Sequence, residues 1–236
     1  MSEEVHKTSP EGFSRRLLKK AVAIRFVAAL LLLGLIFFLP AWTYKYWQAW
    51  VYMLVLFVPM SVLVRYLYKH DPALLERRMR MKERQKTQKV VIPLSFLFFL
   101  PAFIIPGFDV RFGWSNVPWV VVIIADIIVV FSYLMIALVF KTNSYASRIV
   151  EVEKGQKVIT TGPYAVVRHP MYLASLMLYA FSPLALGSYW AMLPVVLLVV
   201  LLVARIKGEE KELLENLEGY KEYVMKTKYR LLPGIW

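Results

Sequence analysis

The chain contains no cysteine and only three histidines among its 236 residues. The absence of cysteine excludes disulfide bonds, thiolate metal sites and a cysteine nucleophile. His6, His70 and His169 are too scattered to indicate a metal-binding cluster, so no metal site is expected. Glycine-rich loops of the G-x-G-x-x-G or P-loop type are also missing, and we therefore expect no Rossmann domain.

Charged residues are scarce as well. They make up 19% of the chain, whereas 59% of the residues are apolar. Soluble domains are about half apolar, so this composition indicates a membrane protein. The net charge of +13 is carried between apolar runs, which favours anionic lipids as partners over nucleic acid. The first 20 residues have no apolar core, and we expect no cleavable signal peptide there.

Five apolar runs approach or exceed the roughly 20 residues that span a bilayer. They cover residues 21–39, 46–64, 90–108, 117–140 and 171–204. The last run would extend about 51 Å as one straight helix, but the hydrocarbon core is only about 30 Å thick. We therefore expect it to fold back into a hairpin near Leu186-Gly187-Ser188.

Basic residues alternate between the two sides of these runs. They are concentrated in the N-terminal tail, in residues 69–89, in residues 141–168 and in the C-terminal tail. The positive-inside rule then predicts about six spans with both termini cytoplasmic, although a re-entrant hairpin at the end would look similar. The expected fold is all-α: a polytopic membrane helical bundle with a C-terminal helical hairpin and a cytoplasmic tail helix.

The tail helix is predicted from the residues that follow Arg205. One apolar stripe at three- and four-residue spacing is formed by Ile206, Glu210, Leu213, Leu217, Tyr220 and Val224. Glu210 lies on this stripe, where a carboxylate needs a partner, unless it extends to the membrane surface. Neighbouring helical residues point about 100° apart, so Glu209 should face outward and pair with Arg205 on the surface.

The sequence Arg168-His169-Pro170 directly precedes the long apolar run. Proline is favoured at the first helical position, so Pro170 should begin a helix and His169 should cap it. Free N–H groups and the positive end of the helix dipole suit a carboxylate there. The alternative is that Arg168 and His169 are interfacial residues that contact lipid headgroups.

Asp126 lies near the middle of the fourth run. An ionisable residue at this depth is a functional candidate by default. No basic residue lies at a matching depth elsewhere, so we favour a structural hydrogen bond to a neighbouring helix.

The region from 143 to 233 resembles the integral-membrane isoprenylcysteine carboxyl methyltransferases and phospholipid methyltransferases. The resemblance rests on a GPY turn, an RHPxY motif, an EExxL motif and a closing Y…Y…LP pattern, in the order of those families. In this chain they are Gly162-Pro163-Tyr164, Arg168-His169-Pro170-Met171-Tyr172, Glu209-Glu210 with Leu213, and Tyr220, Tyr223, Tyr229 and Leu232-Pro233. The earlier stretch 71–79 is similar to the PxLLxER stretch of prokaryotic members. Ala174 departs from a position that is often glycine.

The resemblance implies S-adenosylmethionine as the cofactor, bound at the cytoplasmic side between the GPY…RHPxY segment and the tail helix. The cofactor-binding residues would be Gly162, Pro163, Tyr164, His169, Pro170, Tyr172, Glu209 and Glu210. Within this set, Glu210 suits the amino group or the ribose, and the ring of Tyr172 suits the sulfonium. Residues 1–140 would form the N-terminal tail and spans one to four on the substrate-tunnel side. Residues 141–236 would form the cofactor-binding methyltransferase core.

The acceptor would be a lipophilic or prenylated substrate that enters from the bilayer; no protein partner is indicated. A prenylcysteine-like carboxylate needs no base, and Arg168 or Arg205 would hold it as the catalytic residue. A phospholipid amine would instead need a Glu or His base. Two other classes stay open at this point: an NADPH-dependent sterol-type reductase, and a transporter or scaffold without chemistry.

Overall fold

The computed structural model describes residues 15–79, 86–146, 152 and 155–236, with the side chains of 86–91 excepted. Within these ranges the chain forms eight α-helices and one 3-10 turn, and it contains no strand. The all-helical expectation is therefore confirmed. The chain that leads to Gly162, over residues 156–160, is irregular. Several basic residues of the topology argument, including Lys7 and Arg80, lie outside the described residues.

The helices follow one another along the chain with short connections, except between α5 and α6. Their bounds are α1 Arg15–Ala41, α2 Trp47–His70, α3 Pro72–Met79, α4 Lys86–Phe112, α5 Trp119–Thr142, α6 Pro170–Ala185, α7 Met192–Asn216 and α8 Tyr220–Lys226. The 3-10 turn, Gly162–Ala165, lies in the connector that leads into α6.

Four helical segments in the described chain are long and apolar enough to cross a membrane. These are α1, α2, the Ile92–Phe112 part of α4, and α5, while α6 is a shorter apolar helix. The protein is therefore a membrane protein with several apolar helices, but the count of about six spans is not confirmed. The cytoplasmic position of both termini stays a prediction.

The long helices pack in pairs around a shared aromatic core. The helix α5 lies along α6, α4 lies between α1 and α7, and α2 packs against α5. Phe37 and Tyr52 are fully buried, and the Phe37 ring stacks on Phe103 of α4 at 6.1 Å between centroids. Ala174, at the position where the resembling families often have glycine, is also fully buried.

The helical hairpin turns where the sequence predicts. Gly187 has a positive φ of 75°, and a Cβ there would lie 3.2 Å from the side-chain nitrogen Nε2 of Gln48 in α2. The Tyr46 hydroxyl donates a hydrogen bond to the Leu186 carbonyl at 2.5 Å. Glycine is therefore favoured both by its backbone conformation and by the close approach of α2.

The prediction of a separate tail helix that begins near Arg205 is wrong, because α7 runs unbroken from the second hairpin arm to Asn216. Nothing near Arg205 breaks a helix, since Gly208 is tolerated within one. The helix ends only at Leu217, shortly before Gly219 with its positive φ of 80°. Leu217 and Tyr220, which the stripe assigned to one helix, therefore lie beyond the end of α7.

Two acidic residues in the bundle have opposite environments. Asp109 accepts hydrogen bonds from the Ser115 amide at 2.6 Å, the Ser115 hydroxyl at 2.6 Å and the Ser188 hydroxyl, so it ties the α4–α5 loop to the hairpin. Asp126 is 4% exposed, and within the described chain neither of its carboxylate oxygens has a hydrogen-bond partner. The structural bond expected for Asp126 is therefore not found.

Candidate active site

A cavity of about 580 Å3 lies below the connector and between α4, α6 and α7. One end has polar and charged walls, among them Asn143, Lys157, Arg168, His169, Glu209 and Glu212. The other end has apolar walls, among them Ile92, Phe96, Phe99, Val195, Leu198 and Leu202. A single space therefore offers both a polar and an apolar compartment.

The start of α6 forms part of the polar end. Pro170 is the first residue of the helix and His169 is its N-cap, as the sequence predicts. The N–H groups of Met171 and Tyr172, in the first turn, have no intrahelical acceptor. Because these two residues line the cavity, the helix start lies against it and supplies its positive end.

The C-terminal segment, residues 227–236, holds the residues that lead into α6 in place. The Arg168 amide donates to the Tyr229 carbonyl, and the His169 amide donates to the Arg230 carbonyl, both at 2.9 Å. The Arg168 guanidinium also donates through Nη1 to the carbonyls of Thr227 and Lys228, each at 3.1 Å. This network positions the helix start.

Three side chains contact the carboxylate of Glu210. Arg168 Nε lies 2.8 Å from its Oε1, His169 Nε2 lies 3.3 Å from the same oxygen, and Arg230 Nε lies 2.6 Å from Oε2. Burial alone raises the pKa of Glu210, but the hydrogen bonds of His169 and Arg230 and the charges of His169 and Arg168 outweigh it and lower the pKa to about 2. The carboxylate is therefore ionised at neutral pH.

The position of Glu210 differs from the one its proposed cofactor role requires. The sequence predicted that a carboxylate on the apolar stripe needs a partner, and Glu210 does pair with two arginines. However, Glu210 is not among the residues that line the cavity, whereas Glu209 is. A direct contact between Glu210 and a cofactor stays a prediction.

Glu209 does not face outward, so that expectation is wrong. Its Oε2 accepts a hydrogen bond from the Tyr172 hydroxyl, and the Nε of Arg205 donates to the same hydroxyl at 3.0 Å. Glu209 and Arg205 are thus connected through Tyr172, and all three line the cavity. The helical rule failed because the Tyr172 hydroxyl, which also contacts Arg205, holds the half-buried Glu209 at the cavity, while its neighbour Glu210 is buried.

The GPY turn contributes its tyrosine to the wall of the cavity. Tyr164 lines the cavity, whereas Gly162 and Pro163 do not. The Tyr164 hydroxyl accepts a hydrogen bond from Asn143 at 2.8 Å, and its carbonyl accepts one from the Tyr223 hydroxyl at 2.7 Å. Burial raises the pKa of Tyr164, so the phenol stays neutral.

Gly162 is required by the path of the turn. Its φ is +59°, and a Cβ at this position would lie 2.7 Å from Cγ2 of Thr142 at the end of α5. An alanine would combine an unfavourable backbone conformation with a steric clash. The conformation at Gly162 therefore allows the turn to place Tyr164 at the cavity, where its hydroxyl contacts Asn143.

Two contributors were missed by sequence reasoning. Arg230 binds Glu210, but it follows an irregular segment in which no periodicity indicates a direction. Arg78 of α3 lines the cavity and lies 5.2 Å from the ring centroid of Phe140, although it was counted only as one of the basic residues 69–89 of the topology argument. Residues 80–85 of that region lie outside the described residues.

These motifs converge on one cavity, whose walls come from α4, α6, α7 and the connector. Residues 119–215 match the model of the isoprenylcysteine carboxyl methyltransferase (ICMT) family. The resemblance seen in the sequence is confirmed over this stretch, and the ICMT match supports a membrane methyltransferase. Arg230 and the helices α1 to α4 lie outside the matched residues. No curated protein matches the chain.

Proposed function

We propose that this protein transfers a methyl group from S-adenosylmethionine to the carboxylate of a lipophilic, prenylcysteine-like acceptor. The observation that carries the proposal is the two-compartment cavity, whose polar end adjoins the start of α6 and whose apolar end is lined by α4, α6 and α7. Phe96 lines this cavity and is 56% exposed within the apolar, membrane-length segment Ile92–Phe112. The apolar compartment thus adjoins lipid, which favours an acceptor that arrives from the bilayer.

The polar compartment has donors and acceptors that fit S-adenosylmethionine. The first-turn N–H groups of Met171 and Tyr172 suit its carboxylate. Glu209 offers a carboxylate on the wall for the amino group or the ribose hydroxyls. The Tyr172 ring offers an aromatic face for a cation. When bound, S-adenosylmethionine would supply an electrophilic methyl group on its sulfonium.

Arg205 suits the acceptor carboxylate. It lines the cavity four residues before Glu209 on α7, and Leu201 and Leu202 of the apolar compartment lie four and three residues before it along the helix. A guanidinium forms charge-assisted hydrogen bonds with a carboxylate, often in pairs. Arg168 is more deeply buried and engaged by Glu210, so we assign it the role of positioning the helix start.

The chain's own contribution is orientation and exclusion of water. A carboxylate is already ionised and needs no general base. The side chains of Arg205 and Tyr172 would fix its direction relative to the polar compartment, and the apolar walls would hold the tail. Correct positioning of two bound reactants accounts for a large part of the rate in such transfers.

The test is incubation of the purified protein with methyl-labelled S-adenosylmethionine, a prenylcysteine analogue and total polar lipids. Label in the prenylcysteine pool that is lost on base treatment is the expected result. Base-stable label in the lipids would instead mean N-methylation of a headgroup, and the carboxylate acceptor would be wrong. Thermal stabilisation by NADPH and not by S-adenosylmethionine would overturn the methyltransferase proposal in favour of a reductase.

A further inference from the structure

We propose that Phe99 of α4 is the floor of the acceptor compartment and limits the length of the lipid tail that the enzyme accepts. The inference rests on the proposed function, because it concerns the acceptor of the same cavity. It assigns a specificity role to a residue of the N-terminal half, outside the stretch that matches the ICMT family.

Phe99 lines the cavity at the point where the cavity meets the core of the bundle. Its ring centroid lies 4.6 Å from that of Phe103, which is 5% exposed and belongs to the buried aromatic cluster with Phe37 and Tyr52. On another side it meets the ring of Tyr179 of α6 edge-on, at 5.6 Å between centroids. Phe99 is thus held in place by rings from two helices.

Val195 of α7 also lines the cavity, yet it is only 3% exposed and belongs to the same core cluster. Of the residues that line the cavity, Phe99, Tyr179 and Val195 lie furthest from the polar end along α4, α6 and α7, and we refer to these three residues as the floor. Close-packed side chains below the floor leave no room for further carbons unless the packing changes.

The length of the compartment can be read along α7. The helix is continuous from Met192 to Asn216, so the ten helical steps from Val195 to Arg205 span about 15 Å. A fully extended farnesyl tail whose carboxylate is held at Arg205 already takes up this whole length, and a geranylgeranyl tail is one isoprene unit longer. The longer tail must bend or displace the floor, and the expected selectivity is therefore for farnesyl.

Removal of the Phe99 ring should lengthen the compartment. Because Phe99 lies between the cavity and Phe103, Phe99→Ala opens space at the floor and leaves Arg205 and the polar compartment unchanged. Phe99→Leu opens less space and serves as a second variant should the alanine protein fail to fold. Phe131→Ala is the matched control, since Phe131 is 56% exposed on α5 and does not line the cavity.

The experiment compares kcat/KM for farnesylcysteine and geranylgeranylcysteine analogues with identical headgroups. The original protein should prefer farnesyl, and Phe99→Ala should move the ratio toward geranylgeranyl by about tenfold or more, mainly through KM. Phe99→Leu should move it in the same direction by less, and Phe131→Ala should keep the original ratio. Equal ratios in all four proteins would overturn the role of Phe99.

Failure of the proposed function gives a different result. If labelled S-adenosylmethionine yields no product with either acceptor, the methyl-transfer proposal fails, and tail length is then measured by direct binding of the two analogues. Tighter binding of farnesyl that is lost in Phe99→Ala would support the floor even then. Binding of both analogues that is unaffected by Phe99→Ala, or no binding of either, would overturn it.

Discussion

The Nε of Arg230 lies 2.6 Å from Oε2 of Glu210, so a residue near the end of the chain holds a carboxylate on α7. Arg168 holds the other oxygen of the same carboxylate at 2.8 Å. Two cations from different segments therefore converge on one buried anion. The arrangement ties the C-terminal segment, the start of α6 and α7 together next to the cavity. Glu210 therefore has a structural role, whereas the adjacent Glu209 lines the cavity.

The first prediction concerns these two glutamates. Glu210→Gln should lower the free energy of unfolding by about 3–5 kcal/mol, because it leaves buried cations without their anion. Glu209→Gln should change stability by less than about 1 kcal/mol, but it should weaken S-adenosylmethionine binding roughly tenfold through the loss of a charged acceptor. Thermal unfolding in detergent and cofactor titration measure the two effects. The opposite pattern would reassign the cavity carboxylate to Glu210.

The second prediction concerns the acid stability of the Glu210 cluster. The pKa of Glu210 is lowered to about 2 from an ordinary value of 4.5, so its ionised form is stabilised by folding. That contribution is fully present above pH 4.5 and disappears as the pH falls toward 2. The stability difference between the original protein and Glu210→Gln should therefore shrink over this range. A difference that stays constant to pH 2.5 would contradict the cluster.

The third prediction separates backbone strain from steric clash at the GPY turn. Gly162→Ala should reduce methyl transfer and lower stability by about 1–3 kcal/mol, because Gly162 has φ +59° and Cγ2 of Thr142 would lie 2.7 Å from the new Cβ. Gly155→Ala is the matched control: its φ is +78°, but a Cβ there would meet no other side chain or backbone atom of the described residues within 4 Å.

Thr142→Ser tests the clash directly, because it removes the Cγ2 methyl and keeps the hydroxyl that donates to the Leu138 carbonyl at 2.8 Å. The double variant Gly162→Ala/Thr142→Ser should recover part of the lost activity, measured against each single variant. An effect of Gly155→Ala equal to that of Gly162→Ala would show that the contact with Thr142 is irrelevant.

The fourth prediction concerns the acceptor cation. Arg205→Leu should raise KM for a carboxylate acceptor by roughly 10- to 100-fold, since a hydrogen bond to a charged group contributes about 1.5–3 kcal/mol. The cofactor dissociation constant should change by much less. Lys207→Leu, at an exposed position two residues along α7, is the control. A loss of cofactor affinity in Arg205→Leu with unchanged acceptor KM would move Arg205 to the cofactor compartment.

The fifth prediction compares two buried aspartates. Asp109→Asn should destabilise the protein by about 1–3 kcal/mol, because the Asp109 carboxylate accepts several hydrogen bonds that an amide cannot all replace. Asp126→Asn should be neutral or stabilising, because its oxygens have no partner within the described chain. Thermal midpoints in the same detergent compare them. Loss of activity in Asp126→Asn at unchanged stability would instead indicate a functional role.

Local sequence signals predicted the elements whose causes are local. Pro170 fixes the start of α6 because its φ suits the first helical position, and Gly187 fixes the hairpin because it adopts a positive φ. The first four hydrophobic runs predicted α1, α2, α4 and α5 to within six residues at each end. These features depend on the residue itself and its immediate neighbours, so a single sequence is sufficient to find them.

The remaining errors arise where distant segments meet. The stripe on α7 identified Glu210 as inward-facing, but it could not reveal that Glu209 is enclosed as well by Tyr172. Arg230 reaches Glu210 from an irregular segment, and its direction depends on the fold of the whole C-terminal region. Phe99 also looked like any other apolar residue of a span, and only its neighbours distinguish it.

The unbroken helix α7 carries Val195 at the floor, Arg205 at the middle and Glu209 at the polar end. Inserting or deleting one residue between these positions would rotate everything beyond it by about 100° and shift it by about 1.5 Å. Such a change would turn either the floor or the carboxylate away from the cavity. The range of acceptors can therefore change through substitutions that alter the size of individual wall residues. Insertions and deletions in this segment of α7 would instead disrupt the cavity.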